Sequence, residues 1–86
     1  KPFSKEGAMA TTCYFKETVR DQGGKGEMEL EFGRSSYYSN CPIPDGRGED
    51  SIYIKVDGKT IIMNLAMAKH FIKEAITVGQ YFGLAD

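Results

Sequence analysis

The sequence predicts an α+β domain: an antiparallel sheet of about four strands, in the order ββ-(β)-ββ, packed on one C-terminal helix. Three observations predict it. Residues 27–32 (EMELEF) alternate strictly between apolar and acidic side chains, the period of a half-buried strand. Asp57-Gly58 stands between two β-rich runs, 51–56 and 59–64, which is the strongest local hairpin signal in the chain. Residues 65–82 carry apolar groups at 65, 68, 71/72, 75, 78/79 and 82, a helical stripe.

The first strand is expected over 12–20 (TCYFKETVR), with Cys13, Phe15 and Val19 on one face and Tyr14, Lys16, Thr18 and Arg20 on the other. Glu17 interrupts the apolar face, so an end or a bulge is expected there. Asp21-Gln22-Gly23-Gly24-Lys25-Gly26 then supplies glycines for a tight reversal. A phosphate-cradling role for this run is disfavoured, because no Gly-Lys-Ser/Thr ending and no helix follow it. Met28, Leu30 and Phe32 should point inward and Glu27, Glu29 and Glu31 outward. Residues 33–50 hold Pro42, Pro44, Gly46 and Gly48, which forbid a helix and disfavour a central strand. A short strand around Ser36–Asn40 is the structured alternative in this long connection.

Asp57-Gly58 demands a type I′ turn, and that turn fixes the register of the second hairpin. Val56 then opposes Lys59, Ile54 opposes Ile61 and Ile52 opposes Met63 on the face expected to be inward. Tyr53 and Ile62 oppose each other on the face expected to be outward. Asn64 is placed to cap the helix, and Gly83 to end it in a left-handed C′ position with Leu84 making the accompanying apolar contact. Gly79 costs about 1 kcal/mol against Ala and points to close approach of another backbone. At about 1.5 Å per residue the helix is about 27 Å long, enough to cross a small sheet.

Composition narrows the classes of function. The chain has 86 residues, so one domain, and a domain of this size buries only about 60–65% of its unfolded surface. Self-association is a common support for such thin stability. Apolar residues make up 41% and charged residues 27%, which fits a globular chain and argues against overall disorder. Eleven basic and twelve acidic side chains leave a net charge of -1, which argues against binding nucleic acid mainly through phosphates. No stretch approaches the ~20 apolar residues of a membrane span, and no signal peptide is evident. Residues 1–9 read as a flexible segment before a single domain over 10–86. Gly7-Ala8-Met9-Ala10 reads as a junction within which Met9 is a candidate native start. Two cysteines, Cys13 and Cys41, favour free thiols in a reducing cytoplasm, with a Cys13–Cys41 disulfide as the sharper alternative.

The residues that could carry chemistry are few. His70 is the sole histidine, beside the apolar stripe, and no nucleophile motif accompanies it. Cys13, Cys41 and His70 sit on different elements and lack the paired spacing of a zinc site. The loop Asp45-Gly46-Arg47-Gly48-Glu49-Asp50 lacks calcium-loop spacing. The chain therefore reads as non-enzymatic, with no cofactor and no metal. Arg34-Ser35-Ser36-Tyr37-Tyr38-Ser39-Asn40 is the most suggestive segment, because Tyr with Ser and Asn gives large contact area at low entropy cost. The plain alternative is one tyrosine tucked under the loop and one exposed. Met67, Phe71, Val78 and Tyr81 spread round the helix stripe, more apolar surface than one sheet face needs; a generous core competes there with a dimer seam rimmed by Lys69, Lys73 and Glu74.

In element order alone, four antiparallel strands followed by a helix resembles the single-strand-binding modules of the Pur and Whirly type. That resemblance implies dimerisation and single-stranded nucleic acid on a sheet surface. The near-neutral charge and the Glu27, Glu29, Glu31 row depart from it. In the alternative reading as a single-stranded nucleic-acid binder, Tyr14, Tyr53, Tyr37 and Tyr38 supply stacking and Lys16, Arg20, Arg34, Arg47 and Lys55 the charge. The favoured expectation is a small regulator, adaptor or inhibitor acting by protein–protein contact as a homodimer, with no membrane partner. Its expected contact residues are Arg34, Tyr37, Tyr38, Arg47 and Tyr53, and its expected dimer contacts are Met67, Phe71 and Tyr81.

Overall fold

A computed structural model describes residues 11–84. The expectations for residues 1–9 lie outside the described residues. The architecture is the expected one: a four-stranded antiparallel sheet packed against a single C-terminal helix. Strands β1 (Thr11–Arg20), β2 (Glu27–Ser35), β5 (Ser51–Val56) and β6 (Lys59–Ile62) form the sheet in the order β1-β2-β5-β6. Between β2 and β5, the short strands β3 (Pro42–Ile43) and β4 (Gly46–Arg47) pair as a separate ribbon. Helix α1 runs over Leu65–Tyr81.

The turns follow local chemistry. Asp57 and Gly58 both adopt positive φ, 47° and 84°, as a type I′ turn needs, and the register is Tyr53↔Ile62, Ile54↔Ile61, Lys55↔Thr60 and Val56↔Lys59. Asp57 does more than turn the chain. Its carboxylate accepts from the Glu29 amide at 3.0 Å and its own amide donates to the Glu29 carbonyl at 3.1 Å, tying the hairpin to β2. At the first turn, the Asp21 carboxylate accepts from the amides of Gly23 and Lys25 at 2.8 and 3.1 Å. The Asn64 side chain accepts from the Met67 amide at 2.8 Å and caps α1. At the other end, Leu84 donates to Gly79 and Gly83 to Gln80, with Gly83 at φ 71°, which is a Schellman closure. Leu84, expected to make the accompanying apolar contact, is 82% exposed.

Three expectations are corrected. The first concerns β1, which runs through Glu17 and bulges instead at Tyr14. Cys13 opposes Gly33 while Phe15 opposes Phe32, so one extra residue stands between two adjacent positions of β2. Cys13 and Phe15 therefore lie on opposite faces. The cause lies on the neighbouring strand: a Cβ at Gly33 would stand 2.0 Å from the Thr12 carbonyl oxygen, so the bulged backbone fits only over a glycine. The second concerns Ser36–Asn40, which forms no strand. It is a turn closed by the Ser39 amide on Ser36 and the Cys41 amide on Tyr38, followed by the β3–β4 ribbon.

The third concerns Tyr53, since the helix lies on the expected inward face, with Phe71 and Ile72 beside Phe32 and Ile52. On the face carrying Phe15, Leu30, Phe32, Ile54 and Ile61, the aromatic rings of Phe15 and Phe32 stack at 5.2 Å, yet Ile61 is 65% exposed. On the opposite face, Tyr53 is only 4% exposed, and the next cross-strand pair along that face, Ser35 and Ser51, is buried as well. Tyr53, expected to point outward, is thus a core residue. Ser51 is the blemish in that core, because its hydroxyl is buried with no hydrogen-bond partner among the described residues. An unpaired buried hydroxyl costs about 1–3 kcal/mol. Ser51→Ala is therefore expected to raise the melting temperature by several degrees, at about 4–8 °C per kcal/mol for a domain of this size. A lower melting temperature would mean that the hydroxyl is satisfied.

Candidate contact surface

The expected contact residues divide among three places. Tyr37 and Tyr38 are both exposed and meet edge to face at 5.0 Å and 78°. The loop that holds them is tied down locally. The Asn40 amide donates to Gly48 and the Gly48 amide to Cys41, Asn40 takes the left-handed conformation at φ 61°, and the Arg47 guanidinium donates to the Asn40 carbonyl. A Cβ at Gly48 would lie 2.1 Å from the Tyr38 carbonyl oxygen, so this glycine lets the two limbs of the loop touch. Tyr38 and Arg47 line a groove of about 500 Å³, with Ile43, Ile62 and Leu65 forming its apolar part.

Arg34 stands elsewhere. It opposes Thr12 and Ile52 on the Phe32 face and lines a mostly apolar cavity of about 230 Å³ with Tyr14, Phe32, Phe71 and Ile72. Tyr14, expected on the outer face, is carried to this side by the bulge. Tyr53 belongs to neither place. Its hydroxyl donates to the Glu31 carboxylate at 2.6 Å beneath the surface, so it offers no exposed ring to a partner or a base. The sequence-based reading missed Ile43, Ile62 and Leu65 as groove residues and Glu31 as the partner of Tyr53. Strand register alone could have indicated Glu31, because it and Tyr53 share a face on adjacent strands.

The electrostatics of the Tyr53 face are also different from a bare acidic row. Glu31 lies between Lys16 and Lys55 in register, and Arg20 pairs with Glu27 at 3.1 Å. Both members of that pair are exposed, so it contributes at most about 1 kcal/mol. Burial, then the hydrogen bond to Glu31 and the nearby Cys13, hold the Tyr53 hydroxyl well above its usual value of 10.0. The stability this contributes is fully present below pH about 10, where the unfolded tyrosine also keeps its proton. It is lost as pH rises from there through the folded-state value. Melting temperatures between pH 9 and pH 12 (roughly spanning the free tyrosine value) should fall more steeply for the native chain than for Tyr53→Phe. Parallel curves would show that Tyr53 carries no such linkage.

The expected dimer contacts lie on α1, where Met67, Phe71 and Tyr81 are all exposed. Tyr81, 83% exposed, meets Phe82 edge to face at 5.1 Å. The helix meets the sheet at β5, where Ala68 is buried, and Phe71 and Ile72 face Phe32 and Ile52 across the small cavity. Tyr53 and Ala68 are the buried apolar residues among those described, whereas fourteen large apolar side chains are exposed.

His70 is exposed on α1, and Cys13 and Cys41 are free and exposed. Among the described residues no group of three or more His, Cys, Asp and Glu stands together as a metal site, and no helix is long and apolar enough to cross a membrane. Comparison with family models, with curated proteins and with solved structures finds no match.

Proposed function

We propose that this chain is a non-enzymatic binding module, a small regulator, adaptor or inhibitor, that works by protein–protein contact and self-associates. The observation that carries the reading is the imbalance between two buried apolar side chains and fourteen large exposed ones. So many large apolar side chains left open to water support an interaction role. The exposed Tyr37–Tyr38 pair beside the Arg47 groove adds rigid aromatic contact area held by a hydrogen-bonded loop. Two exposed free thiols suit a reducing, cytoplasmic setting. Single-stranded nucleic acid is less well supported, because Tyr53 is withdrawn from any stacking platform and Lys16 and Lys55 stand beside Glu31.

The test is a Tyr37→Ala/Tyr38→Ala variant compared with the native chain for self-association and for capture of specific partners. Loss of either property, with the fold intact by circular dichroism, is the expected result. Native behaviour in both would remove the loop from the contact surface.

A further inference from the structure

The chain carries two apolar surfaces that do not cover each other. One is the Phe32 face of the sheet, where Val19 opposes Met28 and Ile61 opposes Ile54, with Val19, Met28 and Ile61 all exposed. The other is the stripe of α1 beyond Ala68. Ile72, Ala75, Ile76 and Gly79 continue that stripe at helical spacing, yet Ile72 and Ile76 are exposed. The helix engages the sheet at β5 and beside Phe32, and leaves Val19, Met28 and Ile61 of the flanking strands exposed. One helix cannot both stay on β5 and cover the β1–β2 and β6 flanks of the same face.

We infer that the occupant of both surfaces is a second copy of this chain, in a two-fold dimer in which the exposed stretch of the α1 stripe beyond Ala68 from each protomer lies on the exposed part of the Phe32 face of the other. The inference rests on the contact-module reading and names its partner. A ridge and a flat apolar face on the same molecule satisfy each other twice under a two-fold axis, and such an interface closes without leading to fibres. The exposed parts of Val19, Met28, Ile61, Phe71, Ile72 and Ile76 amount to on the order of 500 Å², taking roughly 150–200 Å² per side chain. That is most of the ~800 Å² that each partner buries in a stable interface. Among the described strand residues the Phe32 face carries one acidic group, Glu17, and two basic ones, Arg34 and Lys59, so Glu17 marks the end of the face suited to a lysine-flanked helix. Glu17 shares the face of Phe15 and Val19 and has no ion-pair partner among the described residues, while Lys69 and Lys73 flank the helix stripe. The small residues Ala75 and Gly79 let the helix approach the partner's strands closely.

The test uses two single variants of the full chain, Ile76→Lys on the helix and Met28→Glu on the sheet. Both positions are about half exposed, at 48% and 47%, so each variant should keep its fold, as checked by circular dichroism. Each alone is expected to weaken dimerisation at least 10-fold by sedimentation equilibrium, and an equimolar mixture should recover it. In the mixed dimer one helix–sheet contact is native and the other sets a lysine against a glutamate. Rescue on mixing is the supporting outcome. A dimer that neither variant weakens, or loss without rescue, overturns the helix-on-sheet arrangement. A native chain that is monomeric but still binds a specific partner overturns the second copy and leaves the contact module standing; a monomer that binds none overturns both. If a variant does not fold, Ile72→Lys and Val19→Glu replace the pair.

Discussion

Tyr53→Ala should unfold a large fraction of the molecules at 25 °C and lower the melting temperature by more than any other side-chain truncation. Truncating a buried aromatic ring costs about 3–5 kcal/mol through lost burial and the cavity left behind. A domain of this kind has only about 5–15 kcal/mol in total, and a small one lies toward the low end. Tyr53 is one of two buried apolar residues among those described, so little neighbouring core exists to collapse into the space. Its removal also leaves Glu31 without the hydroxyl that it accepts from at 2.6 Å. Chemical denaturation at fixed protein concentration measures the loss. A cost below about 1 kcal/mol would place the core elsewhere.

Gly33→Ala has the second large effect, and its mechanism is different. A Cβ there would meet the Thr12 carbonyl oxygen at 2.0 Å and the Cys13 Cα at 3.0 Å, both backbone atoms that cannot rotate away. The strands must part or the bulge at Tyr14 must be lost. Losing the bulge would slip Thr11–Cys13 by one residue and exchange their faces. Overpacking usually costs about 1–3 kcal/mol, and a clash between two backbones belongs at the upper end. The melting temperature should drop by about 10–20 °C at fixed concentration. Amide exchange should be faster at the Thr11–Cys13 end of β1 than at Thr18–Arg20. A variant with native stability would mean that β1 pairs without the bulge.

What the sequence revealed follows the range of the interactions involved. The Asp57-Gly58 turn, its register and the Asn64 cap were legible because each depends on residues within a few positions, through positive φ or an orphan amide. The burial of Tyr53 was not. Residues 51–56 place Ile52 and Ile54 on one face and Tyr53 on the other, an apolar choice either way. Packing decides between them, and packing buries Ser35, Tyr53 and Ser51 together at the two ends of the long 36–50 connection. The bulge was hidden for a related reason: it depends on a glycine across the strand pair, twenty positions away from Cys13. Of the candidate contact residues, Arg34 and Tyr37 are near neighbours in sequence. The end of β2 separates them, and Arg34 stays on the Phe32 face while Tyr37 and Tyr38 leave with the loop.

These corrections leave the exposed apolar surface as the central feature of the molecule. Sedimentation velocity of the unaltered chain over a concentration series tests it most directly. A species of twice the chain mass at micromolar concentration is the expected result, with the equilibrium moving toward the single chain on dilution. A single chain mass throughout, even at several hundred micromolar (roughly the upper end of interest for weak, millimolar-range association), would contradict self-association through this surface.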